Sequence, residues 1–178
     1  MKKTLTLILI TIIGIGLVGA LVNYIRMDGF AFAWALNFLL MMCVFTFTET
    51  LKSQLTSSYY NEKGWEQRGK IYKYLGINFF RKMLVLIGWE RLNKKASPVE
   101  KNIKALKNLH YQTKKSELGH LIILFIVMGF NVFVAFRFGI LKSFSLLILN
   151  IILNLYPIFL QRYNRPRIER AINLSNRK

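Results

Sequence analysis

The chain has 178 residues, 53% of them hydrophobic and 14% aromatic, with 26 Lys and Arg against 8 Asp and Glu and a formal net charge of +18. So apolar a composition argues against an ordinary soluble domain. It moves the basic residues from nucleic acid, their usual partner in a soluble protein, to the anionic face of a membrane. A single cysteine, Cys43, excludes an internal disulfide and a thiolate metal cluster.

Four uncharged or nearly uncharged stretches follow in chain order, at 5–22, 30–47, 119–136 and 143–160. Each is about 18 residues, or roughly 27 Å of helix, close to the thickness of a bilayer's hydrocarbon core. The expectation is an all-α polytopic membrane protein, a single membrane domain over 1–178 with four transmembrane helices. Met1-Lys2-Lys3 and the first stretch also resemble a secretory signal peptide, with Val18-Gly19-Ala20 at the cleavage position. The length of the run and the closeness of the next span favour an uncleaved helix. Gly14, Gly16 and Gly19 would let that helix approach a neighbour closely.

Charge sets the orientation. Lys2 and Lys3, 15 Lys and Arg in the loop 48–118 and 6 in the tail 161–178 stand against Arg26, Arg137 and Lys142. With four spans, both termini and the 48–118 loop are cytoplasmic, in a protein of the cell membrane.

The loop interleaves aromatic and basic residues from Tyr59 onward. This pattern predicts a basic amphipathic helix with Trp65, Tyr72 and Leu75 on one face, lying in the membrane interface and ending near Gly76. A second short piece is expected over Phe79–Ile87. Ser97-Pro98-Val99-Glu100 reads as the start of a further helix, with a Ser cap, Pro at the first position and Glu three residues after the cap.

Few residues can carry chemistry. Glu117, His120 and Asn131 fall on one face of the third span, and Asn150, Asn154, Pro157 and Gln161, spaced 4, 3 and 4, on one face of the fourth. Polar stripes within apolar spans face protein or a cavity, and two facing stripes would line one pocket. His120, oriented by Glu117, is the candidate general base. Only one Glu-x-x-His pair exists, so no metal site is expected. Arg162, Arg165 and Arg167 can hold phosphate or carboxylate through planar paired contacts, with Tyr163 and Asn164 interposed. Pro166 is expected to start a short tail helix. There is no P-loop, no GxSxG, no HExxH and no GxGxxG.

At these residues the sequence resembles the glycosyl-4,4′-diaponeurosporenoate acyltransferase family, which performs the last step of staphyloxanthin biosynthesis. Thr113-Lys114-Lys115-Ser116-Glu117-Leu118-Gly119-His120 is similar to a Thr-Lys-Arg-x-Glu-x-x-His segment of that family. Gln161-Arg162-Tyr163-Asn164-Arg165-Pro166-Arg167 looks like its Gln-Arg-Tyr-Asn-Arg-Pro-Arg, and Asn154 with Pro157 fits an Asn-x-x-Pro pattern. Glu66, Gly69, Lys70 and Arg81-Lys82 resemble its Glu-x-x-Gly-Lys and Arg-Lys signatures. The resemblance spans about residues 62–170.

It implies transfer of a fatty acyl group, with acyl-CoA as co-substrate and no bound cofactor, to a sugar hydroxyl of a membrane-embedded glycolipid or carotenoid glycoside. His120 and Glu117 would be catalytic. Asn131, Asn150, Asn154, Gln161, Arg162, Tyr163, Asn164, Arg165 and Arg167 would bind substrate. The alternative is a non-enzymatic accessory or lipid-binding membrane protein. Membrane lipids are expected partners, nucleic acid is not, and the oligomeric state stays open.

Overall fold

The structure, a computed structural model, describes residues 2–88 and 102–176. Trp89 and the helix start at Ser97-Pro98 lie outside the described residues. The described residues form helices, turns and short connections, with no strand among them. In chain order the helices are α1 (Lys2–Tyr24), α2 (Phe30–Leu51), α3 (Ile71–Tyr74), α4 (Ile77–Leu86), α5 (Ile103–Phe138), α6 (Ile140–Asn150) and α7 (Tyr156–Ser175). A π-helical turn, Ile151–Leu155, joins α6 to α7, so Ile140–Ser175 is one helical rod. Four helical segments, α1, α2, α5 and this rod, are long and apolar enough to cross a membrane, as the sequence predicts.

The chain forms two compact units. The first comprises Met1–Gln54 and Leu118–Pro157. Its core is built from α2, which buries Phe32, Ala33, Leu36, Leu40 and Val44 at helical spacing, together with Ile123, Val127 and Val134 of α5 and Leu146 and Leu149 of α6. No residue of α1 is fully buried. Val18, Leu21 and Val22 near its end pack on the core, and Leu5, Leu9, Ile12 and Ile15 are exposed. Of the three α1 glycines, only Gly14 meets a neighbour, with a Cβ position 3.5 Å from Cys43 Sγ. Gly139, at φ +99, turns the chain between α5 and α6 in a conformation that a side chain would oppose. Asp28 accepts from Arg26 and, at 2.9 Å, from Lys142 Nζ, which ties the two short connections together.

The second unit comprises Leu55–Glu117 and Ile158–Lys178. Leu55, Tyr60, Tyr72, Ile77, Phe80, Ile158 and Tyr163 are its buried apolar and aromatic side chains among the described residues. Tyr72 packs on Phe159, with ring centroids 5.3 Å apart. Gly76, at φ +81, separates α3 from α4, where the sequence places a helix end.

Two local expectations are corrected here. The single amphipathic helix expected from Trp65 to Gly76 is instead a 3₁₀ turn, Gly64–Gly69, broken at Gln67 and Arg68, followed by α3. Gln67 and Arg68 are left-handed, at φ 49 and 55. Trp65 and Leu75 are exposed while Tyr72 is buried, so the three do not share a face. The reason is electrostatic. The buried Glu66 carboxylate accepts from the Lys63 N–H at 2.6 Å, and Glu62 accepts from the Arg68 N–H. Side chains thus satisfy amides that a regular helix would use. Second, Pro166 does not start a new helix: α7 runs through it to Ser175. The buried side chains of Tyr163 and Arg165 anchor the turn that precedes the proline.

Candidate functional site

In the first unit the apolar core encloses a chain of amides that ends on an imidazole. Pro157 starts the sequence of causes. It has no N–H, so the carbonyl four residues earlier, at Leu153, loses its helical partner. The π turn falls over this same stretch. Single π turns inside α-helices recur at functional sites. His120 of α5 hydrogen-bonds the freed Leu153 backbone, and its Nδ1 lies 3.4 Å from Asn154 Oδ1.

The amides fix one another's orientation. Asn37 Nδ2 donates to the Ala33 carbonyl at 2.8 Å, and Asn150 Nδ2 donates to the Leu124 carbonyl at 3.0 Å. A carbonyl can only accept, so the Oδ1 of each of these amides is left as an acceptor. Both acceptors are taken by Asn154 Nδ2, at 2.7 Å from Asn37 and 2.9 Å from Asn150. Both of its N–H bonds are then used, and Asn154 Oδ1 faces His120. An oxygen that can only accept thus faces Nδ1, an arrangement that favours the proton on that nitrogen. Asn37, Asn150 and Asn154 are all buried. In so apolar a setting an unmatched amide would cost several kcal/mol, on the order of 2–7. Asn131 lies elsewhere on α5 and donates to the Ser143 carbonyl at 2.8 Å.

In the second unit Glu117 and Glu66 are gathered by arginines from α7. Arg162 uses its whole fork: Nε to Glu117 at 2.8 Å, NH1 to Glu66 at 2.7 Å and NH2 to the Tyr59 carbonyl at 2.8 Å. Arg165 reaches the other Glu117 oxygen, Thr113 Oγ1 at 3.2 Å and the Tyr60 carbonyl at 3.0 Å. Their guanidinium groups also lie over the Tyr59 and Tyr60 rings, at 5.0 and 5.5 Å. Glu117 is fully buried, and the Arg165 side chain is only 3% exposed. Gln161 donates to Ser116 Oγ at 3.2 Å. Tyr163 is buried under Arg167, whose guanidinium sits 3.5 Å from the ring centre, and Asn164 is half-buried.

Burial alone would push the Glu66 carboxyl up. Hydrogen bonds from Tyr72, the Lys63 backbone and Arg162 outweigh it and hold the carboxyl below its ordinary value of 4.5. Burial, then the bond to Glu66, pushes the Tyr72 hydroxyl well above the usual tyrosine range, so Tyr72 remains a donor. A folded value below the unfolded one gives stability that is complete above about pH 4.5 and is lost as the pH falls through the lowered value. The second unit is therefore expected to show an acid-labile unfolding midpoint. Glu66→Gln should lower that midpoint at neutral pH and flatten its slope below pH 4.5, as read by tryptophan fluorescence in detergent.

Sequence reasoning brought Glu117, His120 and the α7 polar residues forward, and Asn154 does meet His120. It passed over Asn37, whose signal was a lone amide in an otherwise uncharged span. It placed Tyr72 on the face of an interfacial helix, and gave Glu66 no role beyond a signature residue.

Four helices of membrane-spanning length, with an imidazole and its amides held inside the apolar core, define a multi-pass membrane protein. The chain belongs to the CrtO family, glycosyl-4,4′-diaponeurosporenoate acyltransferase, whose model matches residues 56–174. It is accordingly an acyltransferase, and the accessory-protein alternative falls away. No curated protein and no solved structure matches the chain. The matched stretch contains His120, Asn150, Asn154, both buried carboxylates and the α7 arginines. Asn37 lies outside it.

Proposed function

We propose that the chain esterifies a sugar hydroxyl of a glycosylated carotenoid acid embedded in the membrane, using a fatty acyl thioester as donor and His120 as general base. The observation that carries this reading is the chain of Asn37, Asn150 and Asn154, which presents Asn154 Oδ1 to Nδ1 of His120. The acceptor hydroxyl gives its proton to Nε2 as its oxygen attacks the thioester carbonyl carbon. The C–O bond forms, the C–S bond breaks, and the imidazolium returns the proton to the leaving thiolate. Asn154 holds the ring and stabilises the imidazolium through Nδ1–H, and Asn37 and Asn150 hold Asn154. Glu117, with both oxygens on arginines, serves as the anchor of the second unit. The acceptor class comes from the family description. The thioester donor is the chemistry that needs a base and no enzyme nucleophile.

The charge distribution supports an orientation with both termini and residues 48–118 on the cytoplasmic side of the cell membrane.

The test is acyl transfer by the purified full chain in detergent, with glycosyl-4,4′-diaponeurosporenoate as acceptor and a fatty acyl-CoA as donor, followed by mass spectrometry. His120→Gln is expected to reduce turnover by about 10²–10⁴-fold with unchanged thermal stability. Turnover within about threefold of the parent would remove His120 from the mechanism.

A further inference from the structure

A cleft of about 770 Å³ opens in the second unit, between the broken turn before α3 and the last turns of α7. Its cations are Arg68, Lys70, Lys73, Arg167 and Arg170. They differ from Arg162 and Arg165, each of which donates from all three guanidinium nitrogens to acceptors within the unit. Arg68, Lys70, Lys73 and Arg170 are exposed, and their side chains make no ion pair or hydrogen bond with a described residue. Arg167 is fixed in place by the Tyr163 ring and carbonyl.

The two carboxylates of the cleft, Glu62 and Glu169, are already engaged. Glu62 accepts from the Arg68 backbone, and Glu169 meets His110 Nε2 at 2.9 Å. Five positive charges thus face two carboxylates in one cleft, an excess of positive charge that costs energy until an anion arrives. The backbone that carries two of them is also strained. Gln67 and Arg68 are left-handed, and so is Gly69. Such conformations cost about 1–3 kcal/mol each in a residue with a side chain, and they cluster at binding sites. Here they turn Arg68 and Lys70 to the same side as Arg167.

We infer that this cleft binds a phosphate-bearing group, with Arg68, Lys70, Lys73, Arg167 and Arg170 as its ligands. Its volume lies in the range of small-molecule sites, roughly 300–1,000 Å³. That admits a nucleotide or a phospholipid head group. Two sources share this chemistry: the soluble carrier of an acyl donor and the head group of an anionic phospholipid. The first identity rests on the acyl-transfer reading above. Phosphate binding itself does not, and the experiment reads binding without turnover, so the two can fail separately.

The probes are adenosine 3′,5′-bisphosphate, titrated calorimetrically into the full chain in nanodiscs, and the nanodisc lipid itself, phosphatidylcholine with or without phosphatidylglycerol. Binding of the nucleotide in neutral nanodiscs is expected to weaken by about tenfold per cation removed in Lys70→Gln and Lys73→Gln. It should stay unchanged in Lys104→Gln/Lys107→Gln, which removes the same charge from the exposed start of α5. If phosphatidylglycerol displaces the nucleotide, or binds in its place with the same dependence on Lys70 and Lys73, the site stands with the head group as its ligand. If neither probe binds, or if the α5 control weakens binding as much as the cleft variants, the site is refuted. Thermal midpoints of all variants check that the fold is retained.

Discussion

Glu117→Ala is expected to unfold the second unit under conditions where the parent is stable, with a loss of about 3–5 kcal/mol. The carboxylate is fully buried and carries a guanidinium on each oxygen. Its removal leaves Arg162 and Arg165 facing each other, still buried and short of an anion, which is the costly way to break a buried ion pair. Glu117→Gln keeps the shape but replaces one acceptor by an amide that points donors at a donor, so it should recover little. Arg162→Lys should also fail, because one ammonium cannot reach Glu117, Glu66 and the Tyr59 carbonyl in the planar geometry that the guanidinium spans. Glu169→Ala is the control: its pair with His110 is half exposed and should contribute less than about 1 kcal/mol. Limited proteolysis and thermal unfolding in detergent read all four. An unfolding midpoint for Glu117→Ala within 2 °C of the parent would refute the anchoring role.

Gly69→Ala is the second large effect. The residue sits at φ +80, and a Cβ there would lie 3.2 Å from the Tyr163 carbonyl oxygen and 3.3 Å from its Cα, both of them backbone atoms. The left-handed backbone alone costs an alanine roughly 1–2 kcal/mol. The contact adds to that because α7 must move to relieve it. Gly88→Ala separates the two contributions, since Gly88 has φ +77 but no atom of a described residue within 4 Å of its Cβ position. Thermal unfolding should rank Gly69→Ala well below Gly88→Ala, with Gly88→Ala near the backbone penalty. Equal midpoints would mean that the approach of the turn to Tyr163 carries no energy.

The four long apolar helices were legible because hydropathy over about 18 residues is a strong, local signal. Pro157, Asn154 and Asn150 were legible as one stripe because the helical period survives the π turn closely enough to keep the amides on one side. The partners were harder. A spacing of three puts Glu117 and His120 on one face of α5, and a carboxylate beside a histidine reads as its orienting group. In the structure Glu117 is bound by Arg162 and Arg165, 45 and 48 residues away, and His120 by Asn154, 34 residues away. No period in the sequence encodes such pairings. The broken turn at Gln67–Gly69 was missed for a related reason. Tyr72 and Trp65 look like one face of a helix until the buried Glu66 draws in the Lys63 amide, Tyr72 and Arg162, and that requirement comes from α7.

Asn37 has a bearing on how far this protein can be taken apart. It lies in the leading third of the chain, ahead of the stretch that carries the family's features, yet it accepts one of the two amide hydrogens that point Asn154 at His120. The leading helices are therefore not an interchangeable membrane anchor. A chimaera that joined residues 56–174 to the first two spans of another protein would inherit the histidine, the arginines and the cleft. It would still need, at the level of Asn37, a side chain with an oxygen to offer.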